Sequence, residues 1–221
     1  MIGKGVRMKN TVGVSLLEKT ALASILVLLS VVTVGLLGLA IGIGLGAYTF
    51  LIGAAICAII LFFRDRQMLW LFGAVVALLA LWSIVCGFFF DWSYDGMYFH
   101  KQAVITLKEG WNPFYQSSLD ASVFASYPDM DLWLDNYPNG SWIFSAVIYS
   151  ITNRLETAKA VNLLFLLPVF ALAVDVLRSV FGMGRKKSIA FGVLFVINPV
   201  FICQVFTFYN DLPVGAFMIL T

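Results

Sequence analysis

No charged residue interrupts the chain between positions 20 and 63. At about 1.5 Å per residue, a helix of that length would cross a ~30 Å hydrocarbon layer twice, so the run predicts two membrane-spanning helices. Gly38, Gly42, Gly44 and Gly46 put the break within residues 35–46, because glycine tolerates tight turns and lets helices approach closely. Further apolar runs at 68–90, 160–177 and 188–209 predict three more spans. Residues 141–152 are as apolar but too few to cross unaided, which predicts an interfacial or re-entrant helix. The last run, 212–221, is less than half a span and predicts chain beyond it, so the sequence reads as the N-terminal part of a longer protein.

Composition agrees with this pattern. With 61% hydrophobic and 12% charged residues, and a mean hydropathy of +0.94, the chain is excluded from the soluble globular class. The formal net charge of +2 gives no nucleic-acid surface, since the basic residues are scattered in clusters between apolar runs. Those clusters report orientation. Arg64, Arg66 and Arg185 to Lys187 mark internal loops, and residues 91–140, with seven acids against Lys101 and Lys108, mark an external one. The expected arrangement has a cytoplasmic N-terminus carrying Lys4, Arg7 and Lys9, followed by an apolar stretch too long for a cleaved signal peptide. The expected fold is an all-α polytopic transmembrane bundle with a large external loop carrying interfacial helices. Residues 1–66 form the N-terminal tail and an extra helix pair, and 67–221 form a second module with external loop 91–140. Cys57, Cys86 and Cys203 lie inside apolar runs and are expected to pack as small hydrophobes.

Candidate chemistry gathers at the boundary where the third run stops. Asp95 is placed to cap a helix over 96–109, with Gly110 at its C′ position. A carboxylate at a helix N-terminus stays ionised and able to bind a metal or take a proton, or serves only as a cap. His100, five positions on, would occupy a different face of an α-helix. Residues 110–113, Gly-Trp-Asn-Pro, predict a turn with an aromatic headgroup anchor, and 137–140, Tyr-Pro-Asn-Gly, a second turn. Asn139 begins a formal glycosylation sequon. Asp129, Asp131 and Asp135 are either a cation site or a solvated acidic stretch. Gln204 and Asp211, within and at the outer end of the 188–209 run, are intramembrane polar candidates on the side of the acidic loop.

Taken in order, Tyr94-Asp95-Gly96-Met97-Tyr98-Phe99-His100, then Glu109 to Pro113, then Asn136 to Gly140, then Asn198-Pro199, Gln204 and Tyr209-Asn210-Asp211 resemble the N-terminal part of the GT-C superfamily. The likeness is nearest to bacterial members related to protein mannosyltransferases and aminoarabinose transferases, and it covers residues 68–221. Tyr94 stands where the family motif often has Trp, and Asp91 is a second carboxylate nearby. The resemblance implies a membrane glycosyltransferase of a bacterial plasma membrane. Such an enzyme takes sugar from a polyprenyl-phosphate donor at the external face and passes it, with inversion, to a glycan, lipid or protein acceptor. It implies Asp95 as general base and Asp211 as the residue orienting acceptor or sugar. His100, Lys101 or Lys159 would sit on the phosphate, and Asp91, Gln204 and Tyr137 would complete the substrate contacts. A divalent cation, Mg or Mn, held by Asp95 and Asp211 is the cofactor it allows. Membrane lipids are expected partners. The same hydrophobicity suits a transporter or flippase for a lipid-linked or anionic solute, or a non-catalytic assembly subunit.

Overall fold

The structure, a computed structural model, describes residues 14–120, 130–136 and 140–220, with backbone alone at Asp120, Met130 and Asp131. Helix α1 (Leu16–Ala40) opens on a reciprocal cap: the Ser15 hydroxyl accepts from Glu18 N, and the Glu18 carboxylate accepts from Ser15 N at 2.6 Å. Residues 41–46 reverse the chain, with Gly42 in the left-handed region at φ +81°, and lead into α2 (Ala47–Arg64). Asp65 then starts α3 (Gln67–Cys86) by accepting from Gln67 N. The expected break in the 20–63 run thus lies where the glycines put it. Near-helical residues from Tyr94 lead through a wide π turn, Gly96–His100, into α4 (Lys101–Glu109), which Gly110 ends at φ +108°. Short α5 (Met130–Asn136) and α6 (Gly140–Thr152) follow, then a 3-10 turn Leu155–Ala160 feeding α7 (Val161–Ser179). The chain closes with α8 (Arg185–Val196), α9 (Pro199–Gln204) and α10 (Asp211–Leu220).

Every described element is helical or irregular, so the fold is all-α. Among the described residues four helices are long and apolar enough to cross a membrane: Leu16–Ala40, Ala47–Arg64, Gln67–Cys86 and Leu155–Ser179. Their outward faces are as apolar as their inward ones, with Leu51, Phe63, Trp70 and Leu81 exposed, which is the signature of a bundle solvated by lipid. Helix α1 packs against α7, α2, α3 and α6, and one hydrophobic core runs through residues on both sides of Arg66. The N-terminal helix pair is therefore built into the bundle. One end is fixed by Ser15 Oγ donating to Asp175 at 2.6 Å and by a 2.5 Å Lys19–Asp65 ion pair, here called the basic end. At the other, the loop end, Asn112 Nδ2 and Tyr115 Oη donate to the last carbonyls of α1, Leu39 and Ala40.

Four expectations change. Residues 188–209 do not form one span: Pro199 has no N–H, holds Asn198 extended, and Asn198 Oδ1 caps α9 through Phe201 N at 3.1 Å. The chain unwinds again after Gln204, and the freed carbonyls of Gln204, Val205 and Thr207 all accept from the buried Asn162 amide, at 3.0–3.2 Å. The 141–152 segment is a short helix, as expected, but not one lying at a surface. Residues Trp142 to Ile148 are all buried, with α1, α2 and α4 packed on them, so protein encloses the middle turns, which goes against the interfacial alternative and leaves the re-entrant one. Trp111 likewise is a core residue, its Nε1 donating to Gln116 O, and not a headgroup anchor. Cys57 and Cys86 are buried as expected, whereas Cys203 is exposed.

Close helix packing is set by missing Cβ atoms. A Cβ at Gly53 would fall 2.8 Å from Val31 Cα, backbone that cannot move aside. Gly53→Ala should destabilise the α1–α2 pair by about 1–3 kcal/mol. Gly73→Ala, on exposed α3 surface with nothing within 4 Å, should be neutral or slightly stabilising. Unfolding temperatures in detergent compare the two.

Candidate functional site

The loop end is organised around a carboxylate that the sequence did not single out. Glu156, in the 3-10 turn before α7, accepts from Lys101 Nζ at 2.7 Å and pairs with Lys159 three residues on. It also accepts from Asp91 N at 3.1 Å. Lys101 further donates to Asp91 O at 2.8 Å and stands 3.6 Å from the Phe90 ring centroid, while Lys159 donates to Phe89 O. Both lysines are buried, Lys159 completely. The Asp91 carboxylate, 1% exposed, accepts from Ser93 N, Ser93 Oγ and Phe208 N. Two cations and two anions therefore balance inside the protein, joining the exit of α3, the start of α4, the entry to α7 and the unwound segment before α10. Asp91, Lys101 and Lys159 have their hydrogen-bonding capacity committed to this cluster.

Asp91 also corrects the role expected of Asp95. The helical turns begin at Tyr94, Asp95 has helical dihedrals (φ −68°, ψ −32°), and its side chain caps nothing. Asp91 instead holds Ser93, the residue just before those turns, through its N–H and its hydroxyl. Gly96 is the residue that permits it, since a Cβ there would lie 2.2 Å from both Asp91 Oδ2 and Ser93 Oγ. The Asp95 carboxylate is left half-buried, with no hydrogen bond or ion pair among the described residues. The π turn, in which Lys101 N bonds to Gly96 O, widens the helix by one residue, so positions five apart return towards one face. His100 and Asp95 consequently share Tyr209 as a neighbour: its hydroxyl lies 3.5 Å from Asp95 N, and its ring meets the His100 imidazole edge-on at 5.9 Å.

His100 is 2% exposed and its Nδ1 accepts from Trp142 Nε1 at 2.9 Å, which puts the ring proton on Nε2. Burial pushes the imidazolium down to about 4, against the opposing pull of the Asp91 and Asp211 carboxylates. At neutral pH it is an uncharged hydrogen-bonding group, not a cation for a phosphate. Asp211 opens α10, is exposed, and accepts from Gln204 Nε2 at 2.9 Å. Gln204 Oε1 and the neighbouring Asn210 Nδ2 are buried without partners among the described residues, while Asn210 Oδ1 accepts from Ser141 Oγ. An apolar groove of about 220 Å³ between α1, α7 and α10 has Ser141 and Asn210 on its lining.

No family model, curated protein or solved structure matches the chain. The site must be read from its own geometry. Of the expected residues, Asp95, His100, Gln204 and Asp211 lie at the loop end around Tyr209 and the 204–211 segment, and Asp91, Lys101 and Lys159 lie beneath them in the buried cluster. Tyr137, Asn139 and Asp129 fall outside the described residues, as does the Asp131 side chain. Asp135 accepts from Ser117 Oγ at 2.8 Å and Ser118 N at 2.9 Å, so both its oxygens are in use. Among the described residues no three His, Cys, Asp or Glu side chains are grouped to hold a metal. Glu156, Asn162 and Trp142 were missed. A Glu–Lys pair three apart beside a span and a lone amide within one were the available signals.

Two outcomes test this geometry. Glu156→Gln leaves two buried ammonium groups sharing no carboxylate and should cost about 3–5 kcal/mol in unfolding experiments. Between pH 6.5 and 4 the unfolded chain protonates His100 and the folded one does not, so stability falls as pH falls through that window, by on the order of 3 kcal/mol. His100→Gln should flatten the pH profile of the unfolding temperature there.

Proposed function

We propose that this chain carries the N-terminal part of a GT-C-type glycosyltransferase that moves a sugar from a polyprenyl-phosphate donor to an acceptor hydroxyl at the external face of a bacterial plasma membrane. Asp95 and Asp211 carry this reading. They lie more than a hundred residues apart in sequence, at the same end of the bundle, and neither is neutralised by a lysine or arginine among the described residues. Asp91 and Glu156, by contrast, are consumed by the fold. Asp95 is a suitable base: unpartnered, half-buried and next to the phenol of Tyr209. It would take the proton from the acceptor hydroxyl as that oxygen attacks the anomeric carbon and the bond to the lipid phosphate breaks. Gln204 holds Asp211 in position at the start of α10, where a carboxylate can orient the acceptor or sugar. The groove lined by Leu28, Val32, Phe165 and Phe217 ends at Asn210, beside Asp211, and offers an apolar bed for a polyprenyl chain. Neutral His100 contributes hydrogen bonding rather than charge.

The break at Asn198 and the unwound 205–210 segment favour a second reading, a transporter or flippase for a lipid-linked or anionic solute, since interrupted spans are a common transporter device. One experiment separates them. Membranes containing the protein, with whatever sequence continues it, are given labelled polyprenyl-phosphate sugars. Sugar release should drop roughly 10²-fold or more in Asp95→Asn and Asp211→Asn at matched expression. Activity surviving both substitutions, or donor that moves across the membrane without being consumed, rejects the transferase.

A further inference from the structure

At the basic end, far from Asp95, a cavity of about 400 Å³ lies between the first turn of α1, the last turns of α7 and the first turns of α8. Leu16, Leu17, Phe170, Val174 and Ile189 give it apolar walls. Arg178 and Arg185 also line it, both exposed and neither in an ion pair among the described residues. Asp175 is the one carboxylate on its lining, and it already accepts from Ser15 Oγ. Helix α8 is pressed onto α7 beside the cavity, where a Cβ on Gly192 would lie 2.4 Å from Val174 Cγ2, so side chains of α7 pack directly on the α8 backbone there.

The charges here are arranged against local preference. Arg185, Lys186 and Lys187 are the first three residues of α8, all exposed, where the helix dipole is itself positive. That turn contains no acid, and Gly184 gives it no side-chain cap. With Arg178 opposite, two arginines face one acid on the lining of an apolar cavity, and Lys186, Lys187 and the uncapped N–H groups add positive charge on the same turn as Arg185. An anion carrying a hydrophobic chain answers both halves of this surface, and the surrounding membrane supplies one.

The geometry points to this cavity as a binding site for an anionic phospholipid, with the headgroup phosphate between Arg178 and Arg185 and an acyl chain along Leu17, Phe170 and Ile189. It is independent of the chemistry proposed at the loop end.

Purified protein in detergent is titrated with phosphatidylglycerol, phosphatidylcholine or inorganic phosphate, following the unfolding temperature. Phosphatidylglycerol should stabilise the wild type at concentrations where the other two do not. The double variant Arg178→Gln/Arg185→Gln should weaken that response about tenfold. Arg64→Gln/Arg66→Gln, which removes the same charge from the same end away from the cavity, should stay within about twofold of wild type. Ile189→Trp, which fills the apolar wall at unchanged charge, should weaken the response several-fold and serves if the arginine variant does not fold. Equal losses in the two arginine pairs would mean a diffuse surface field and overturn the site. So would an unchanged response in Ile189→Trp, or equal stabilisation by phosphatidylcholine or by inorganic phosphate.

Discussion

Glu156, held between Lys101 and Lys159, is the interaction on which the loop end depends. Burying two ammonium groups is costly, and the cost is met only because each finds a carboxylate oxygen and a backbone carbonyl in place. Those acceptors come from two separate parts of the chain: Glu156 in the turn before α7, and Phe89 and Asp91 just past α3. Asp91 passes the constraint on, its carboxylate gripping Ser93 at the start of the next helix and Phe208 ahead of α10. Positions 91, 101, 156, 159 and 208 are thereby locked together, and the orientation of Asp95, His100 and Tyr209 follows from that lock.

The same logic governs where the backbone departs from helix. In lipid an open carbonyl has no solvent to turn to, so irregular backbone survives only where protein satisfies it. The unwinding after Gln204 is possible because one Asn162 amide serves three carbonyls. The enclosed α6 ends at Asn153, in the left-handed region at φ +51°, and Thr152 and Thr157 hydroxyls take up the Arg154 backbone groups. Helix breaks and buried polar side chains come in matched sets, which explains why Asn162 is tolerated inside an otherwise apolar span.

How much of this the sequence disclosed depended on the range of the interaction. The first three spans, the glycine turn near Gly42 and the C-terminal stop at Gly110 were legible because each follows from local hydropathy or local dihedral demand. The 188–209 run was misread because hydropathy averages across Asn198-Pro199, although that dipeptide carries its own stop signal. Asp95 was taken for a cap because it precedes a helical stretch with the right residue type. The residue that fixes the entry to that stretch, Asp91, is recognisable only once Phe208, 117 residues away, donates to its other oxygen. Trp111 looked like an interface anchor since nothing local tells a Trp at a membrane boundary from one under a loop. Asp91, Lys101 and Lys159 of the buried cluster looked like substrate ligands for the same reason.

What distinguishes the two groups of carboxylates is whether the fold needs their charge. Asp91 and Glu156 are surrounded by donors, and removing their charge would strand lysines and backbone N–H groups without acceptors. Asp95 receives nothing from the described residues, and Asp211 receives one amide hydrogen bond from a glutamine whose own carbonyl oxygen is left without a partner. A carboxylate whose oxygens are all taken by protein donors is structural, whereas one that the fold leaves open is free to accept from water or from a ligand. The loop end contains a fully hydrogen-bonded carboxylate and one with no donor among the described residues within a few positions of each other, Asp91 and Asp95, separated by the single turn that Gly96 allows. That contrast directs attention to Asp95 and Asp211 more strongly than their sequence surroundings do, because it rests on which charges the protein has already used.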